Sequence, residues 1–126
     1  MTGDFEAIDE IRTVAIRWIG DELAFPYPQV LHVIQMCSMN EFAVLGVEVN
    51  KALEGSFYTE YLSGYDVPAT KRPLPSEDWK AFVQLNNLLA EKFVREHPAS
   101  AESFYLLATA SLREFRQIEE MRKNGR

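Results

Sequence analysis

Glu41-Phe42-Ala43-Val44-Leu45-Gly46-Val47-Glu48-Val49-Asn50 decides the fold, because it reads two ways. Ser38-Met39-Asn40-Glu41 has the spacing of a capping box, and Gly55 could end a helix that starts there. Against a helix stand the β-branched Val44, Val47 and Val49 and an interior Gly46. We read a strand, with Ala43, Leu45, Val47 and Val49 on one face. Phe57 to Ser63 is aromatic, alternates with Thr59 and Glu60, and reads as the next strand. Lys51 to Ser56, with Gly55, can close a hairpin between them.

Working outward, residues 4–22 have the spacing of a helix. Phe5, Ile8, Ile11, Ala15, Trp18 and Ile19 share one face, opposite Glu6, Asp9, Glu10, Thr13, Arg17 and Asp21. Phe25-Pro26-Tyr27-Pro28 breaks it, since proline lacks a donor and restricts its predecessor. Pro28 can open a short second helix over Val30, Leu31, Val33, Ile34 and Cys37, although this run also suits a strand. Gly64 to Pro75, with three prolines and the pair Lys71-Arg72, reads as a loop. Ser76, Glu77 and Asp78 start a helix, cap first and acids in the first turn, that reaches about Glu96 before Pro98. Ser103 to Thr109 reads as a strand buried on both faces. Ser111-Leu112-Arg113-Glu114 is a second capping box, followed by Leu112, Phe115, Ile118 and Met121 on one side.

The order is ααββαβα. It implies an α+β domain spanning residues 1–126, with a three-stranded, mainly antiparallel sheet covered by about four helices. The rival is all-α, because Phe104, Leu107, Leu112, Phe115 and Ile118 also fit one long helix. The chain is long enough to bury a core, and 47% apolar residues are those of a globular protein. The acidic start argues against a signal peptide, and no apolar run is long enough for a membrane helix. Cys37 is the only cysteine, which fits a cytoplasmic protein.

Charge is divided unevenly. Residues 1–63 hold ten acids and three bases, a balance of −7; residues 64–126 hold nine acids and ten bases, a balance of +1. Summed charge steers encounters, so this chain favours a basic partner over nucleic acid or an anionic membrane. Catalytic motifs are lacking. His32 and His97 have no metal-ligand spacing to Cys37 or to each other. His32 and Cys37 are five positions apart, which puts them about 140° apart on a helix. There is no phosphate loop, G-x-S-x-G or H-E-x-x-H. We therefore expect no catalytic residue, metal or cofactor.

Two polar residues fall inside apolar stripes. Arg12 lies among Phe5, Ile16 and Ile19, and Asn86 among Trp79, Phe82, Val83, Leu89, Ala90 and Phe93. They either line a small-molecule pocket together with Glu48, or are satisfied inside the fold, Arg12 by a carboxylate such as Glu48 and Asn86 by loop backbone. Tyr58, Tyr61 and Tyr65, with Glu60 and Asp66, form an aromatic and acidic region suited to anchoring a partner. The same residues also suit a half-buried strand.

Asn40 to Glu48, Ser63-Gly64-Tyr65, Asp78-Trp79, Asn86-Asn87 and Phe104 to Phe115 resemble segments in small bacterial domains of the polymorphic-toxin immunity type. The likeness covers roughly residues 37 to 118. It implies a small cytoplasmic α+β protein that binds a toxin and catalyses nothing. The expectation is a protein-binding module that masks a basic toxin. The alternative is a small-molecule-binding domain or minor enzyme using Arg12, Glu48 and Asn86.

Overall fold

A computed structural model describes residues 8–14, 17–19, 22–52, 59–66, 78–98 and 103–124. The elements run α1 (Asp9–Val14), β1 (Arg17–Ile19), β2 (Glu22–Phe25), α2 (Gln29–Met39), β3 (Ala43–Ala52), β4 (Thr59–Asp66), α3 (Trp79–Glu96), β5 (Ser103–Ala110) and α4 (Leu112–Asn124). The class is α+β, with four helices and an antiparallel sheet in the order β1-β2-β5-β3-β4. The three anticipated strands are β3, β4 and β5, and they lie side by side. Two short strands, β1 and β2, extend the sheet beyond β5.

Those two strands correct the reading of residues 4–22 as one helix. Only Asp9–Val14 is helical among the described residues there. From Arg17 onward the spacing also fits a period of two, and pairing decides between the periods. Ile19 pairs with Glu22 and Arg17 with Ala24, so β1 and β2 run antiparallel. Phe25 then pairs with Tyr105 of β5. Leu23 and Phe25 are buried with the helices, while Ala24 packs with Phe104 and Leu106 on the other face. This alternation is the ordinary consequence of the β pleat.

On the helix-covered face, Ile11, Val30, Val33, Ile34, Cys37, Ala90 and Val94 meet Val44, Val47, Val49 and Tyr105. Burying each such aliphatic side chain contributes about 1.5–3 kcal/mol before entropy is counted. Tyr105 is fully buried, and its hydroxyl donates to the His97 carbonyl at 2.6 Å. β3 does not keep one face throughout. Its register against β5 shifts between Val44 and Gly46. The bulge at Leu45 puts Val44 with Val47 and Val49, and sends Ala43 and Leu45 to a second cluster. The expected face of Ala43, Leu45, Val47 and Val49 is therefore split. A bulge adds one residue to a strand and so inverts the alternation beyond it.

The second cluster joins α3 and α4. Trp79, Phe82 and Phe115 form an aromatic triangle with centroids 5.1–6.2 Å apart. α4 opens with the expected capping box: Ser111 Oγ accepts from the Glu114 amide, and Glu114 Oε1 accepts from the Ser111 amide. α3 is capped by Asp78, whose carboxylate accepts from the Lys80 amide. Ser76, the expected first cap, lies outside the described residues. β4 runs on through Ser63-Gly64-Tyr65-Asp66, which the sequence reading ended at Ser63. No helix among the described residues is long and apolar enough to cross a membrane.

Candidate functional site

The turn between α2 and β3 gathers the most polar chemistry. Ser38-Met39-Asn40-Glu41 has capping-box spacing, yet it ends α2 instead of starting a helix. The Phe42 amide donates back to the Cys37 carbonyl at 2.8 Å, and the Glu41 amide to the Ser38 carbonyl. This is the Schellman arrangement, whose left-handed position favours glycine. Here Glu41 occupies it, at φ 59°. That conformation costs a non-glycine residue about 1–2 kcal/mol. α3 holds the turn in place, because Trp79 Nε1 donates to the Glu41 carbonyl at 2.8 Å.

Asn86 and Asn87 complete the clamp. Asn86 Nδ2 donates to the Val44 carbonyl at 2.8 Å, and the Val44 amide donates to Asn87 Oδ1 at 2.9 Å. Asn87 Nδ2 donates to the Phe42 carbonyl at 2.9 Å and to Ser38 Oγ at 3.0 Å. The two side chains also touch, Asn86 Nδ2 to Asn87 Oδ1, at 3.2 Å. They serve the backbone on either side of Ala43, next to the bulge, as a neighbouring strand would. Asn86 is thus satisfied internally, by strand backbone at Val44 and not by the loop backbone expected for it. Asn87 makes more bonds than Asn86 and was missed; its signal was direct adjacency to a polar residue inside an apolar stripe.

The proposed pocket of Arg12, Glu48 and Asn86 does not assemble. Arg12 is half-exposed and pairs with Asp9 one helical turn away. Glu48 is exposed, and pairs in register with Leu106, on the face away from the helices. Asn86 is buried between α3, to which it belongs, and β3. The expected Arg12–Glu48 ion pair is corrected accordingly: α1 packs through Ile11, which leaves Arg12 directed to solvent. The second sheet face also buries Asn50, whose Nδ2 is the buried side-chain polar atom without a hydrogen-bond partner among the described residues.

His32 is exposed on α2, while Cys37 on the same helix is buried. Burial pushes the Cys37 thiol from its ordinary 9.0 up to about 12. A thiol held neutral is a poor nucleophile, because the thiolate is the reactive form. His97 is exposed beyond α3 and stacks on Phe93, with ring centroids 4.3 Å apart. Among the described residues, no three His, Cys, Asp or Glu side chains converge as metal ligands would. An open groove of about 400 Å³ is lined by Glu41, Asp78, Trp79, Lys80, Ser111 and Arg113, among others. Its two acids balance its two bases, and it holds none of the candidate residues.

The aromatic and acidic candidates fall on β4, apart from Tyr58, which lies outside the described residues. β4 pairs with β3 on one side and is the last strand of the sheet among the described residues. Glu60 stands opposite Lys51, Tyr61 opposite Asn50, Tyr65 opposite Val47 and Asp66 opposite Gly46. The register shifts between Val49 and Asn50, so Leu62 is the extra residue of a bulge in β4. The four described candidates thus share one strand, at the edge of the described sheet. Comparison with protein-family models, curated proteins and solved structures finds no match.

Proposed function

We propose that this chain is a non-catalytic protein-binding module, and that it masks a basic partner of the toxin kind through the edge strand β4. One observation carries the reading: the strand at the edge of the described sheet also holds Glu60, Tyr61, Tyr65 and Asp66. An edge strand presents a row of backbone donors and acceptors with no neighbour on that side among the described residues. A partner can add a strand to such a row, with main-chain bonds giving affinity and side chains giving specificity. The −7 balance of residues 1–63 steers a basic partner towards the molecule, and exposed Asp9, Glu10, Glu41 and Glu48 contribute to that field. Tyrosine supplies large contact area at low entropic cost. The pocket reading has less support, because its three residues are dispersed over a helix surface, a buried clamp and the opposite sheet face.

The test is a kinetic binding assay against basic proteins encoded beside this chain or captured by it. The association rate should fall about tenfold or more between about 50 and 300 mM salt. Tyr65→Ala should raise the dissociation rate by about tenfold, and Asp66→Asn should mainly slow association. Wild-type rates in both variants, with folding checked by circular dichroism, would place the interface elsewhere. An affinity unchanged by salt would remove charge steering from the mechanism.

A further inference from the structure

α3 carries a second apolar stripe, on the side away from the core. Leu85 is 69% exposed, Leu88 60% and Leu89 48%. Asp78, Ala81 and Lys92 are exposed beside them. Asp78, Leu85 and Lys92 are seven residues apart, so they fall on one line along the helix. The line reads acid, leucine, base. Lys92 makes no ion pair with any described residue, and one Asp78 oxygen serves the Lys80 amide.

We infer that this stripe is a self-complementary face through which two copies of the chain associate, α3 against α3, antiparallel about Leu85. A two-fold axis at Leu85 sets each Asp78 opposite the partner's Lys92 at both ends of the contact. The same axis sets Ala81 opposite Leu89, a small residue against a large one. A two-fold interface requires this kind of self-complementarity, because each patch meets its own image. A parallel arrangement would put acid against acid and base against base, so the charge order selects the antiparallel one. Two heptads of helix make a small interface, of the class that gives reversible, concentration-dependent association. The face lies on α3 and not on β4, so this inference stands or falls separately from the proposed partner site.

Sedimentation velocity on the full chain, from about 1 μM to about 1 mM, reads the result directly. The expected outcome is a shift from the 14.5 kDa monomer towards twice that mass as concentration rises. Leu88→Glu, checked for folding by circular dichroism, should stay monomeric throughout. Lys92→Glu should weaken association at least tenfold, since it sets Glu against Asp78. Leu85→Cys, on the axis, should form a disulfide-linked dimer under mild oxidation, while Met39→Cys, which is 79% exposed on α2, should not. Native Cys37 is buried and does not compete as a reporter. A wild type that remains monomeric over the whole range, or cross-linking as efficient at Met39→Cys as at Leu85→Cys, would overturn the inference.

Discussion

The two sides of α3 depart from the usual assignment of residue types in opposite ways, with two asparagines inside and three leucines outside. Asn86 and Asn87 face the core beside Val83, Ala90 and Val94, while Leu85, Leu88 and Leu89 face solvent. The inner asparagines are buried because a strand with a bulge leaves backbone groups in need of partners, and their amides supply donor and acceptor together. Hydrophobicity alone would have put the leucines inside. The contrast teaches that a buried position is set by what the adjacent backbone requires, and that an exposed apolar stripe asks what else could cover it.

The contrast can be broken first from the inside. Asn87→Ala removes four hydrogen bonds, among them the one in which the buried Val44 amide donates to Asn87 Oδ1. The expected loss is about 3 kcal/mol, or about 10 °C in the melting temperature. Asn86→Ala should cost less, and the double variant less than the sum, because the two side chains bond to one another. Additive losses would show that they act independently.

Cys37 reports on the same core through pH. Below pH 9 both the folded and unfolded chains keep the thiol proton, so pH has no leverage through this group. Between pH 9 and about 12 the unfolded chain releases it while burial retains it in the fold. Stability should therefore fall as pH rises through that window. Melting curves of wild type and Cys37→Ala at successive pH values isolate the effect; parallel slopes would contradict it.

Trp79→Phe is milder. It keeps the aromatic triangle with Phe82 and Phe115 and loses only the bond to Glu41, for about 1 kcal/mol by thermal denaturation. Glu41→Gly in the same background should recover part of that loss, since glycine takes the left-handed conformation freely. The outer face should respond least. Leu88→Glu, measured where the chain is monomeric, should change stability by no more than about 0.5 kcal/mol.

What the sequence revealed follows the same line. β3 was legible because Val44, Val47 and Val49 outweigh the apparent capping box at Ser38. The bulge at Leu45 was not, since one extra residue leaves no mark in composition. The hairpin of β1 and β2 was hidden because Trp18, Ile19 and Leu23 satisfy helical and strand periods alike, and only pairing with β5 selects between them. Asn86 stood out as a polar residue within an apolar stripe. Leu89 was placed in that stripe too, although α3 turns it half outward. Of the candidate sites, the run from Glu60 to Asp66 kept its residues together on β4, whereas Arg12 and Glu48 parted because local spacing says nothing about which sheet face a strand residue takes.

The central claim is that β4 is the surface where a basic partner docks. Amide hydrogen exchange on the complex tests it most directly, with the partner taken from the salt-sensitive binding assay. Thr59 to Asp66 should exchange at least tenfold more slowly when the partner is bound, while β5, already paired on both sides, should change little. Unchanged exchange across Thr59 to Asp66, with protection appearing on another surface, would contradict the account.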